Sequence, residues 1–250
     1  MILVTGATGI LGRVIVLELL KRGKTVRATK RKSSNLQEVR KSFQFYTETP
    51  NEYFDSIEWI EVDFEDIHSL QNALNGVEEV YHCAAKVSFH PKDEKKMYQT
   101  NIEGTKQLLF ACQNSSVKKF LFVSSIAVLD GLNENGELDE SSDFNPKIDH
   151  SSYAISKHFS EMEVWRASAE GLNVAIVNPG LIIGSGNWNE SSGTLFKELG
   201  ENTFTFSGGT SYVDVRDVAQ ISIELMEKNI FGERFILISE NKKYQDVANF

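Results

Sequence analysis

The chain has 250 residues, 41% of them hydrophobic, and its formal net charge at pH 7 is -9. This length and apolar fraction allow one sizeable core, and the acidic balance argues against nucleic acid as a partner, because binding to a polyanion depends on lysine and arginine. No apolar run approaches the roughly 18 residues of a membrane span, and the two cysteines show no disulfide framework, so we expect a reduced cytoplasmic protein without a membrane segment.

Short β-branched runs alternate with helical patterns from the first residue onward, which is typical of βαβ units and a parallel sheet. We predict strands at residues 2–5, 25–29, 57–62, 79–83, 119–124 and 173–178. Helical periodicity is clear at residues 11–21, 69–74, 97–114 and 152–169. Asp66 is expected to cap a helix, and Gly23 and Gly171 lie where helices should end. The pattern predicts an α/β fold with a doubly wound parallel sheet.

The chain is less regular after residue 180. Residues 184–209 are rich in Gly, Ser and Asn, which indicates a loop, with a short helix near residues 195–199. We predict a strand, a helix and a further strand at residues 212–215, 217–228 and 234–238. Residues 239–250 begin like a capped helix and end on an apolar residue, from which we expect an incomplete C-terminus.

Two parts are expected from this organisation. Residues 1–180 would form a dinucleotide-binding domain, and residues 181–250 would form a small substrate-binding lobe. Residues 210–225 are expected to pack back on the first part.

Three glycines at equal spacing, Gly6, Gly9 and Gly12, follow the first strand in the stretch TGATGILG. Such a loop at the start of a helix can present free N–H groups to a pyrophosphate. A tight turn that needs a permissive backbone is the alternative, and the strand before the loop and the amphipathic helix after it favour the phosphate site.

This stretch resembles the TGxxGxxG motif of the extended short-chain dehydrogenase/reductase family, also called the NAD-dependent epimerase/dehydratase family. The resemblance extends to Asp63 in VDFED, to HCAA at residues 82–85, to NIEGT at 101–105 and to VDVRDVA at 213–219. It implies a Rossmann-like fold and a nicotinamide dinucleotide. The implied cofactor-binding residues are Gly6, Thr8, Gly9, Ile10, Leu11, Arg31, Asp63, Phe64, Ala84, Ala85, Lys157 and Pro179.

The choice between NADP(H) and NAD(H) depends on the end of the second strand. NAD-preferring enzymes carry an acidic residue there, but no Asp or Glu occurs between Glu18 and Glu38. Arg31 instead offers a guanidinium fork suited to a phosphate, with a lysine on each side. A solvated basic edge is the alternative. Because VRATKR also resembles the NADPH-dependent dihydroflavonol reductase branch, we predict NADP(H), with NAD(H) as the second choice.

Tyr153 and Lys157 lie four residues apart on a predicted helix, so both side chains leave the same face. Such a pair is often incidental, but here it follows a strand that ends in Ser124 and Ser125. Together they resemble the catalytic serine and YxxxK of the family. The resemblance implies that Ser125 binds the substrate oxygen, with Ser124 as the alternative, and that Lys157 favours the phenolate of Tyr153, which transfers the proton.

Asn101 has two equally weighted interpretations. The family places an asparagine in an NxxGT helix, where it supports the catalytic lysine, but a polar residue near a helix start is equally consistent with the sequence. The five histidines show no metal-ligand spacing, so we expect no metal.

The predicted function is hydride transfer between a nicotinamide cofactor and a small carbonyl or alcohol substrate, as in the dihydroflavonol reductase branch. A nucleotide-sugar epimerase or dehydratase is the second hypothesis, and a non-catalytic dinucleotide-binding protein is the third. The family also suggests a homodimer. The loops after residue 180 decide the substrate and contain no motif that identifies it.

Overall fold

The computed structural model describes residues 1–186 and 207–248. The helix predicted near residues 195–199 lies outside the described residues. The described strands and helices are, in chain order, β1 (Ile2–Thr5), α1 (Ile10–Lys21), β2 (Val26–Lys30), α2 (Leu36–Ser42), α3 (Pro50–Asp55), β3 (Glu58–Glu61), α4 (Ile67–Ala73), β4 (Glu79–His82), α5 (Glu94–Tyr98), a π-helical turn (Gln99–Glu103), α6 (Gly104–Gln113), β5 (Lys119–Val123), α7 (Ser152–Ala169), β6 (Asn173–Pro179), β7 (Leu181–Ile183), β8 (Gly209–Asp214), α8 (Val215–Glu227), β9 (Glu233–Leu237), β10 (Glu240–Lys243) and α9 (Tyr244–Ala248).

Within the described residues, seven parallel strands form one sheet in the order β3-β2-β1-β4-β5-β6-β9. Side chains alternate between its faces, so Val4 of β1 packs with α1 and α8, whereas Leu3 packs with α4, α6 and α7. This confirms the predicted doubly wound, Rossmann-like fold. Chain order reverses between β1 and β4, and ligands of such sheets bind at the carboxyl ends of the strands beside this switch point.

All six predicted strands of the sheet are confirmed, with bounds that differ by one residue at most. Asp66 caps α4 as expected, since its carboxylate accepts a hydrogen bond from His68 N at 2.9 Å. The short helices α2 and α3 were not predicted. Asn35 begins α2, because its side chain accepts hydrogen bonds from the N–H groups of Gln37 and Glu38.

The prediction of a helix over residues 239–250 is wrong at its start, because residues 240–243 form β10. This strand pairs antiparallel with β8, and β8 pairs parallel with β7, to form a second, three-stranded sheet within the described residues. Helix α8 packs against α1, and β9 extends the main sheet beside β6. None of the described helices is long and apolar enough to cross a membrane.

Candidate active site

The glycine loop lies at the carboxyl end of β1 and is closed by backbone contacts that leave no room for side chains. Gly6 has a φ of +64°, and a Cβ there would lie 2.6 Å from the backbone nitrogen of Ala84. Gly9 N donates a hydrogen bond to Gly6 O at 2.9 Å, and a Cβ on Gly12 would collide with that same carbonyl. Gly6 and Gly12 are therefore required by the shape of the loop.

Helix α1 begins at this loop in a form suited to an anion. Gly9 is its N-cap, no side chain among the described residues caps its first turn, and that turn contains no acidic residue. Thr8 and Ile10 are half-buried beside the exposed Gly9, whereas the side chain of Leu11 lies in the core. Any contribution of Leu11 to a ligand must therefore come from its backbone N–H.

Arg13, which the sequence analysis did not identify, fastens this loop to α2. Its side chain is only 1% exposed and forms two hydrogen bonds with the Glu38 carboxylate, at 2.6 and 2.9 Å. It also donates to the carbonyl oxygens of Thr8 and Gly9. The sequence does contain a signal for this role, since Arg13 lies in the apolar run LGRVIV. An arginine buried with such a run needs polar partners for its guanidinium.

Seven basic residues lie between positions 21 and 32, namely Lys21, Arg22, Lys24, Arg27, Lys30, Arg31 and Lys32. Within the described part of the chain, the first five of them form ion pairs with acidic residues. Arg31 and Lys32 are exposed and form none there. Arg31 directly follows β2, so its guanidinium is available at the end of that strand.

The other predicted cofactor-binding residues follow the neighbouring strands. Asp63 is exposed after β3 and accepts a hydrogen bond from Glu65 N at 2.9 Å. Phe64 stacks on the ring of His82, with 5.9 Å between centroids. Ala84 and Ala85 follow β4, and Ala84 N donates to the Thr5 hydroxyl at 3.3 Å. These residues therefore all lie at the carboxyl edge of the sheet.

His82 joins β1, β4 and α6 through its two ring nitrogens. The nitrogens lie 2.7 Å from Thr5 Oγ1 and 2.9 Å from Thr105 Oγ1. Burial lowers the pKa of His82 to about 3, so the ring is neutral and structural. Among the described residues, no group of three or more His, Cys, Asp or Glu side chains could hold a metal ion.

The structure separates the roles of the two adjacent serines. Ser125 follows β5, and its hydroxyl faces the Tyr153 phenol and acts to lower the pKa of that group. Ser124 is buried and donates its hydroxyl hydrogen to Glu161 at 2.5 Å. Of the two serines, Ser125 is therefore the one that meets the tyrosine.

Lys157 lies behind this pair and is almost completely buried. Its Nζ donates to Val123 O at 2.6 Å and lies 4.2 Å from the centroid of the Phe122 ring. Burial lowers the pKa of Lys157 to about 8, and the charge of Glu161 opposes this shift. Burial also raises the pKa of Tyr153, although the Ser125 hydroxyl acts to lower it. Desolvation outweighs the effect of Ser125, so the net direction is a raised pKa, and the expected lowering by Lys157 stays a prediction.

Asn101 lies in the π-helical turn and joins two parts of the site. Its Oδ1 accepts from Lys86 N at 2.7 Å, and its Nδ2 donates to Lys86 O at 3.0 Å and to Ser156 Oγ at 2.9 Å. These bonds tie the segment after β4 to α7. Pro179 is buried at the end of β6, and Asn178 before it donates from Nδ2 to Ser125 O at 3.1 Å.

A helix start open to an anion and a serine–tyrosine pair backed by a buried lysine, all at one edge of a Rossmann-like sheet, define a dinucleotide-dependent enzyme. Comparison with family models agrees with this class. The model of the NAD dependent epimerase/dehydratase family matches residues 2–237, and the chain belongs to this family. It is an NAD(P)-dependent enzyme of the oxidoreductase or epimerase/dehydratase type.

Curated relatives include reductases. The chain is 31% identical over 242 residues to sterol demethylase protein B of Methylococcus capsulatus, and the alignment covers 96% of this chain and 70% of that protein. It is 28% identical over 256 residues to a putative dihydroflavonol 4-reductase of Synechocystis, and that alignment covers 98% of this chain and 69% of the reductase.

Solved structures share the fold. The crystal structure of gox2253 has a TM-score of 0.84 and 28% identity, with 100% of this chain and 73% of that chain covered. The structure of Gre2 of Candida albicans in complex with NADPH has a TM-score of 0.80 and 22% identity, and the match covers 98% of this chain and 79% of that chain.

Proposed function

We propose that this protein reduces a carbonyl group of a small molecule with NADPH, or oxidises the matching alcohol. The observation that carries the proposal is that the Ser125 hydroxyl faces the Tyr153 phenol at the end of β5, with Lys157 one helical turn from Tyr153 and 2.6 Å from Val123 O. When bound, a nicotinamide cofactor supplies or accepts the hydride. Ser125 would hold the substrate oxygen, and Tyr153 would transfer its proton to it. Burial keeps the Tyr153 phenol neutral, so this group carries the proton that reduction consumes.

The preference for NADP(H) rests on Arg31. Its guanidinium is exposed at the end of β2 and forms no ion pair in the described residues, whereas Lys30 beside it lies 3.8 Å from Glu61. A free guanidinium can form two parallel hydrogen bonds with a phosphate group. The names of the curated relatives, which include dihydroflavonol 4-reductases and cinnamoyl-CoA reductases, support the same reductase class.

The test is a cofactor-consumption screen of the purified chain with NADPH and NADH in parallel. The substrates are para-nitrobenzaldehyde, isovaleraldehyde, acetophenone and UDP-glucose. We expect stoichiometric loss of NADPH absorbance with at least one carbonyl compound and slower loss of NADH. Conversion of UDP-glucose to its epimer without net change in absorbance would instead establish an epimerase. Cofactor binding without any conversion would remove the proposal. The homodimer and the cytoplasmic location stay predictions.

A further inference from the structure

A buried carboxylate, Glu161 of α7, connects the two sides of the catalytic end. Its side chain is 5% exposed and accepts four hydrogen bonds from described residues. Oε2 accepts from Ser124 Oγ at 2.5 Å and from Asn178 Nδ2 at 3.1 Å. Oε1 accepts from Trp165 Nε1 at 3.3 Å and from Arg234 Nη1 at 3.2 Å. All four partners are donors, so only a group with two acceptor oxygens satisfies them together.

Residues 123–125 are held along their length by this arrangement. Lys157 Nζ bonds the carbonyl of Val123, Glu161 bonds the hydroxyl of Ser124, and Asn178 Nδ2 bonds the carbonyl of Ser125. The same amide group of Asn178 also donates to Glu161. The carboxylate therefore reaches Ser125 from both sides, through the residue before it and through its own carbonyl.

Stability alone does not account for a carboxylate in this place. Replacing a buried ion pair by apolar side chains of similar volume is often neutral or stabilising. Arg234, the charged partner, also donates from Nε and Nη2 to the carbonyl oxygens of Glu140 and Ser142, so its position does not depend on Glu161 alone. What an apolar residue could not replace is the pair of hydrogen bonds that reach Ser124 and Asn178.

We propose that Glu161 is a positioning residue that holds Ser125 in place opposite Tyr153, acting through Ser124 and Asn178. This inference rests on the proposed role of Ser125 as the residue that binds the substrate oxygen. Catalytic geometry is demanding, because a misplacement of about 1 Å can lower a rate by about 100-fold. Loss of the carboxylate should therefore reduce turnover more than it reduces cofactor binding.

The test compares Glu161→Leu with the matched control Trp165→Phe. Leucine has no acceptor oxygen, so Ser124 and Asn178 both lose their partner, whereas the control removes one hydrogen bond on the Oε1 side only. Each variant is assayed for kcat and KM with the carbonyl compound that the wild type reduces, for NADPH affinity by fluorescence, and for its melting temperature. Glu161→Leu with Arg234→Gln removes both charges, so that lost activity is separated from an unpaired buried cation.

We expect Glu161→Leu, alone and with Arg234→Gln, to lower kcat by about 10- to 100-fold while NADPH affinity changes by less than about threefold. Trp165→Phe should keep the wild-type kcat. Equal kcat per folded molecule in all variants would overturn the inference. If the wild type reduces no carbonyl compound, the proposed function fails separately, and crystal structures decide this inference. A displaced Ser125 in Glu161→Leu but not in Trp165→Phe supports it, and an unmoved Ser125 overturns it.

Discussion

The two ends of the site are built by different means. At the phosphate end, the loop from Gly6 to Gly12 is shaped by backbone contacts that exclude a Cβ. At the catalytic end, α7 holds residues 123–125 through buried side chains such as Lys157 and Glu161. The first end should therefore be sensitive to added atoms, and the second to the loss of single polar groups.

The largest effect is expected at the catalytic end from Tyr153→Phe. It removes the phenol hydroxyl that faces Ser125 and leaves the ring, which packs edge-on against Phe89. We expect kcat for carbonyl reduction to fall by about 10²- to 10⁴-fold with little change in NADPH affinity. Steady-state kinetics and fluorescence titration measure the two quantities. Undiminished turnover would show that Tyr153 is not the proton donor.

The phosphate end is tested by Gly6→Ala, with Gly23→Ala as its control. Both glycines have a positive φ, but a Cβ would meet the backbone of Ala84 at Gly6 and nothing within 4 Å at Gly23. The control should lower the free energy of unfolding by about 1–2 kcal/mol, and Gly6→Ala by about 2–5 kcal/mol with loss of NADPH binding. Urea unfolding gives the comparison, and equal losses would remove the steric explanation.

His82 lies where the two ends meet. Because it is buried, we predict that it makes the free energy of unfolding depend on pH. Its pKa is about 3 in the fold and 6.5 in the reference state, so the unfolded chain binds the proton first as the pH falls. The contribution of His82 to the free energy of unfolding is therefore fully present above pH 6.5. It decreases as the pH falls, by about 2 kcal/mol at pH 5.

The measurement for His82 is urea unfolding at neutral and mildly acidic pH. His82→Gln should lack this part of the pH dependence, whereas His68→Gln, which changes an exposed side chain, should retain it. If the free energy of unfolding had the same dependence on pH in the wild type, His82→Gln and His68→Gln, His82 would not stay neutral in the fold.

The smallest effect is expected from Arg31→Ala. The guanidinium forms no ion pair among the described residues. Its removal should therefore affect only the contact with the phosphate group of NADPH. We expect NADPH affinity to fall by about 10-fold and NADH affinity to stay the same. Arg22→Ala is the matched control, because Arg22 is paired with Glu227 at 2.8 Å and should affect neither affinity. Equal changes for both cofactors would assign Arg31 to another role.

The sequence predicted what depends on local pattern. Strand periodicity gave the six strands, and the spacing of Gly6, Gly9 and Gly12 gave the loop, because both signals lie within a few residues. The strand β10 was missed because residues 240–243 become a strand only by pairing with β8.

Pairs that are distant in sequence were also missed. Arg13 and Glu38 are 25 residues apart, and Glu161 and Arg234 are 73 residues apart, so no periodicity connects them. The raised pKa of Tyr153 was not foreseen for a related reason, since burial depends on the assembled fold rather than on the spacing to Lys157.

The position of β9 has a consequence for the order in which the protein folds. The contacts of the glycine loop are complete once residue 84 has been synthesised, whereas the bond between Arg234 and Glu161 needs a strand made 150 residues later. Contacts of long sequence separation form slowly, because loop closure precedes their gain in free energy. During synthesis the glycine loop should therefore reach its final form well before Glu161 gains its bond to Arg234.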